Sequence, residues 1–127
     1  MKKTLHIFFI LLLLSFSIQN PKTIATYKRS IKNAPENGII YLRNNGTFLT
    51  QFFGGCDGTL ETQGKWKINK DTITFTEIET RMMNDPWKKT NRDCKYLMKK
   101  QTLTAFSIVD NKVVLDSNEI YKKVKNK

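Results

Sequence analysis

The clearest pattern along this chain is a two-residue alternation of apolar and polar positions. In Gly64-Lys65-Trp66-Lys67-Ile68 the large apolar residues alternate with lysines. After Asn69-Lys70-Asp71 the period resumes, with Ile73 and Phe75 set between Thr72, Thr74 and Thr76. Successive side chains of a strand point to opposite faces, so this spacing predicts two half-buried strands joined by a tight turn. Upstream, residues 39–42 and 47–53 flank Asn44-Asn45-Gly46, and Asn-Gly readily takes the positive φ angles of hairpin turns. Residues 24–27 read as an opening strand, and Asn33-Ala34-Pro35-Glu36-Asn37-Gly38 as a loop. Downstream, residues 103–109, 113–115 and 119–121 read as strands separated by Asp110-Asn111-Lys112 and Asp116-Ser117-Asn118.

One stretch breaks the pattern. After Asn84-Asp85-Pro86, which has the chemistry of a turn or helix start, the alternation disappears. Cys94, Leu97 and Met98 then fall at i, i+3 and i+4, which predicts one short helix within residues 87–100, packed across the sheet. The expected fold is therefore mainly β: a small antiparallel β-barrel or curled meander sheet with one short helix packed on it.

The N-terminus changes where that fold is expected to reside. Lys2 and Lys3 precede an apolar run over residues 5–14, and Ser15-Phe16-Ser17 supplies small residues at −3 and −1. Residues 1–17 read as a signal peptide, leaving residues 18–127 as a single domain that is periplasmic or secreted. The apolar run is short for a membrane span, so stable membrane insertion is not expected after cleavage.

Charge adds candidate partners. Lysine and arginine number 22 against 11 acidic residues, a formal net charge of +11. Such an excess suits a lysine-rich soluble surface or a polyanion partner. The basic residues are spread along the chain and cluster mainly at Lys88-Lys89, Lys99-Lys100 and the C-terminal tail, so nucleic acid is not the expected partner. Cys56 and Cys94, in an oxidising compartment, are a candidate disulfide, with two buried thiols as the alternative.

The chemistry is narrow. The single histidine, His6, lies in the leader, so the expected mature protein has no Ser-His-Asp or Cys-His catalysis and no histidine metal ligand. The sequence contains no Walker loop, dinucleotide fingerprint or EF-hand loop. Glu77 and Glu79 could share a strand face as a glycosidase-like carboxylate pair, although a strand leaving the core gives the same spacing. No catalytic residue, metal or cofactor is expected. Gly54-Gly55-Cys56-Asp57-Gly58 could cradle an anion, but a structural turn explains two adjacent glycines as well. The residues singled out for binding are Phe48, Phe52, Trp66, Phe75 and Phe106, which would either line a ligand cavity or fill a core.

Gly55-Cys56-Asp57, Gly64-Lys65-Trp66, the strand at 73–75 and Thr80-Arg81-Met82 follow one another in the order and spacing of the META domain, the HslJ-like family. The chain resembles that family over roughly residues 39–121. Asp57 replaces the usual Asn, and Met83-Asn84 stand where many members continue to Ala-Cys. The Gly-Thr-Phe hairpin and Gly-x-Trp strand are also similar to small bacterial lipocalin-like proteins. Both resemblances imply a compact antiparallel barrel or curled sheet, and the first implies an envelope-stress association without enzymatic activity. Two functions follow as expectations. One is a non-enzymatic extracytoplasmic module that binds an apolar small molecule or an envelope protein. The other is a basic, OB-like module that binds nucleic acid or glycan polyanions.

Overall fold

The computed structural model of the chain describes residues 20–31, 37–54 and 58–125. The expected signal peptide, most of the predicted 33–38 loop, and Cys56 with its neighbours Gly55 and Asp57 lie outside the described residues. Eight strands follow one another: β1 Thr23–Arg29, β2 Gly38–Arg43, β3 Thr47–Phe53, β4 Thr59–Asn69, β5 Thr72–Met82, β6 Lys88–Lys99, β7 Thr102–Val109 and β8 Lys112–Lys123. Each pairs antiparallel with the next, and β8 returns to β1, closing an up-and-down barrel. Closure pairs β1 with β8, the two outer strands that an open meander would leave as edges.

Turn chemistry sets the hairpins. Between β2 and β3, the Gly46 amide donates to the Arg43 carbonyl at 3.2 Å and Gly46 has φ 77°, a type I turn followed by a left-handed residue. Asn45 Oδ1 accepts from the Thr47 amide at 3.1 Å and from its hydroxyl at 2.6 Å. Asp110 and Asn111, with φ of 50° and 61°, give the β7–β8 hairpin the primed geometry that matches strand twist.

The predicted helix is corrected to a strand. Residues 88–99 form β6, paired with β5 from Thr80↔Lys88 to Thr72↔Leu97, and no helix occurs among the described residues. The i, i+3, i+4 spacing of Cys94, Leu97 and Met98 coincides with a second pattern of period two, Cys94-x-Tyr96-x-Met98, and those three residues pack against the core. Pairing along a long neighbouring strand outweighs a weak local helical signal.

Core residues come from the alternation. Ile40, Leu42, Phe48, Ile73, Phe75 and Leu103 are buried, together with Tyr27 and Tyr121. An edge-to-face aromatic chain crosses the interior, from Phe48 to Phe75 at 4.9 Å, on to Tyr96 at 5.4 Å and Tyr121 at 6.0 Å. Such pairs add about 0.5–1.5 kcal/mol each beyond area burial. A bulge at Ile78 shifts the β4–β5 register between Gln63 and Gly64. A Cβ on Gly64 would overlap the Thr76 carbonyl oxygen, so the close approach of the bulged backbone requires glycine here.

Candidate functional site

The two ends of the barrel differ. The end that carries the tight turns at 44–46, 70–71 and 100–101 is filled by Leu42, Phe48, Ile73 and Leu103. At the other end, beyond Phe75 and Tyr121, the interior opens into a cavity of about 530 Å³. Phe48, Phe75 and Ile40 form its floor, while Phe52, Leu60 and Phe106 stand among the residues of its walls.

The alternation of each strand places these side chains. On β3, Phe48, Thr50 and Phe52 share the inward face, and the strand ends at Phe53, which is exposed. The inward face of β6 carries Arg92, Cys94 and Tyr96, opposite Glu77, Phe75 and Ile73 of β5. The β5 bulge divides the two glutamates. Glu77 faces the cavity, whereas Glu79 binds the Gln63 amide at 2.7 Å outside it. The carboxylate pair expected from their spacing is therefore not formed, because Ile78 is an extra residue that reverses the strand's facing.

Polar groups ring the cavity in two clusters. In the first, Arg92 pairs with Glu77 at 3.4 Å and Cys94 Sγ lies 3.5 Å from Glu77 Oε1. Burial pushes the Cys94 thiol up, and the adjacent Glu77 charge adds to the shift. A thiol held protonated is a poor nucleophile. In the second, Arg29 pairs with Glu119 at 3.3 Å, donates twice to the Asn118 carbonyl at 3.0 and 2.7 Å, and donates to Asn37 Oδ1 at 2.9 Å. The Arg29 guanidinium also lies over the Phe52 ring, 5.3 Å from its centroid. The Tyr121 hydroxyl donates to Glu119 at 3.1 Å. Burial, then the Glu119 charge, raises the pKa of Tyr121; for Tyr96, burial is followed by the neighbouring Tyr121 and Glu119.

Glu77 and Glu119 are thus each held in an ion pair, and the thiol beside Glu77 is one that burial holds protonated. No group of three or more His, Cys, Asp or Glu side chains among the described residues could hold a metal. The cavity has an apolar floor and a polar rim.

Of the residues singled out from sequence, Phe48, Phe52, Phe75 and Phe106 come together around the cavity. Phe48 and Phe75 do so as buried core, with 1% and 3% exposure. Trp66 is not part of it. It packs half-buried against the core, and its Nε1 donates to the Arg43 carbonyl at 3.3 Å. Cys94 lies on the cavity wall, and its expected partner Cys56 is outside the described residues. Sequence reasoning missed Arg29, Arg92, Tyr96, Glu119 and Tyr121. The period-two runs Arg92-x-Cys94-x-Tyr96 and Glu119-x-Tyr121 carried a signal for four of them, but nothing local marked Arg29.

No protein-family model, curated protein or solved structure matches this chain significantly.

Proposed function

We propose that this chain is a non-enzymatic, extracytoplasmic binding barrel that takes an apolar, aromatic-compatible small molecule in its open end. The observation that carries this reading is the half-filled interior. Phe52 and Phe106 stand above a floor of Phe48 and Phe75, with ion-paired Arg and Glu side chains at the mouth. Its volume of about 530 Å³ falls within the range of small-molecule pockets. Eight strands in up-and-down order are also the architecture of lipocalin-type barrels, and a compact antiparallel barrel is what both resemblances imply. That likeness is one of fold alone and does not identify a ligand. Removal of a leader and export to the periplasm remain part of the proposal, resting on the N-terminal sequence.

A polyanion-binding role has less support. The outer groove carries Lys67, Lys70 and Lys95, but Asp71 and Asp93 interrupt it, so no surface of single sign is formed there.

Native mass spectrometry of the chain, produced with its leader in a bacterial periplasm, tests the binding reading. The expected result is an added mass that leaves on denaturation. A bare mature mass, together with no fluorescence gain from an anilinonaphthalene sulfonate probe, would reject a ligand cavity.

A further inference from the structure

The barrel is parted along one seam. β6 pairs with β5 over nearly its whole length, but with β7 only from Tyr96↔Ala105 to Lys99↔Thr102. Residues 88–95 of β6 and residues 106–109 of β7 remain strands beyond the point where they separate. Among the described residues, no strand pairs with the edge each turns toward the gap. The parting begins at Ala105, and residues 116–119 of β8 stand opposite that single residue, between the pairs Thr104↔Ile120 and Phe106↔Leu115. The distal β7–β8 hairpin is an arm whose Ile108, Val113 and Leu115 are 63%, 60% and 54% exposed.

We propose that the slot between β6 and β7 receives one extended polypeptide segment of another protein, with alternating apolar and acidic residues, which adds a strand to the free edge of β6. Unpaired backbone groups on a strand edge are a template for strand addition, in which main-chain bonds give affinity and alternate side chains give specificity. The slot specifies both sets of side chains. Asp93, Lys95 and Phe106 line the interior cavity and also an outer groove over β4 and β5, so the slot joins the two spaces. One set of the guest's side chains points inward, to Phe52, Phe75 and Phe106. The other points outward, to Lys67, Lys70 and Lys95.

Charge selects the occupant. The free edge of β6 bears Lys88, Lys89, Arg92 and Lys95 against Asp93 alone. Edge lysines repel a second copy of this basic chain and attract an acidic segment. The arm adds an apolar face, formed by the cross-strand pairs Phe106↔Leu115 and Ile108↔Val113, which an inserted strand would cover. The slot shares its mouth with the cavity but needs no small molecule inside it.

The test uses the mature chain refolded from denaturant, so that any co-purified small molecule is removed and the two readings can fail separately. The probe is a fluorescein-labelled peptide of ten alternating Glu and Val residues, followed by fluorescence anisotropy. Saturable binding is expected, weakened at least tenfold by the Lys89→Glu/Lys95→Glu double substitution. A peptide of the same composition in two blocks should bind at least tenfold more weakly. N-methylation of one of the two alternating sets of peptide amides should abolish binding, while methylation of the other set is tolerated. Equal binding of the alternating, block and both methylated peptides would reduce the effect to charge attraction and overturn the proposal. Absence of binding at millimolar peptide would overturn it too. A dimer in sedimentation that Ile108→Lys dissolves, with no peptide binding, would assign the slot to a second copy instead.

Discussion

The filled and open ends of the barrel are built from the same residue types and reach different outcomes. Toward the tight turns, Phe48 lies between Leu42 across β2 and Gly64 across β4, and it stacks edge-on against Phe75. Four residues further along β3, Phe52 has the same inward facing but meets an arginine and an open cavity. The difference comes from what stands opposite. At the filled end all eight strands are close and short turns hold them. At the open end β6 and β7 have separated and β8 has bulged, so the wall that would complete the packing is displaced. One aromatic residue is therefore core and the next is lining, on the same face of the same strand.

The sharpest way to break this comparison is to truncate both phenylalanines. Phe48→Ala should cost about 3–5 kcal/mol, as for a fully buried aromatic, with a matching fall in the urea midpoint. Phe52→Ala should cost less than about 1 kcal/mol while removing any mass retained in native spectra. Equal destabilisation by the two substitutions would mean that the open end is packed as a core.

Arg29 sharpens the comparison next. Its guanidinium ties β1 to the β8 bulge through Asn118 and Glu119 and reaches Asn37 at the start of β2. Arg29→Met should cost about 2 kcal/mol, the scale of hydrogen bonds to a charged group. Hydrogen exchange should quicken at residues 116–121 and stay slow at Ile40, Ile73 and Leu103. Uniform acceleration through the barrel would show that the open end is not a separable unit.

The smallest effect appears only in alkali. Tyr96 and Tyr121 titrate above the ordinary tyrosine range, chiefly because they are buried. A folded-state pKa above the unfolded value stabilises fully below about pH 10, and that contribution is lost as the pH rises through the folded value. Absorbance at 295 nm should show both rings ionising together with unfolding rather than before it. Glu119→Gln should bring Tyr121 down, because the carboxylate both repels the phenolate and accepts a hydrogen bond from the neutral phenol. Early ionisation of both rings in folded protein would mean that water reaches past the cavity floor.

Much of this was legible in the sequence. The alternation of Trp66 and Ile68 with lysines, and of Ile73 and Phe75 with threonines, is a local property of a strand, and so are the turn residues between them. These fixed the β class and the antiparallel order. Four of the five aromatics singled out do meet at the cavity, because inward facing follows from period two. The helix expected near Cys94 shows where local reading ends. A weak pattern of mixed period takes its conformation from the strand it pairs with, and a period read within residues 87–100 does not register the pairing with β5.

What the sequence by itself determined, then, is strand identity, turn position and which residues face inward over short runs. Tertiary structure alone decided the rest. Ile78 bulges where Gly64 admits the backbone, which sends Glu77 inward and Glu79 outward. Residues 116–119 bulge where Arg29 can hold them, beside the point where β6 parts from β7. Both are matters of register between one strand and its neighbour, not of period within a strand. Register depends on how a whole barrel closes, and no local periodicity encodes it.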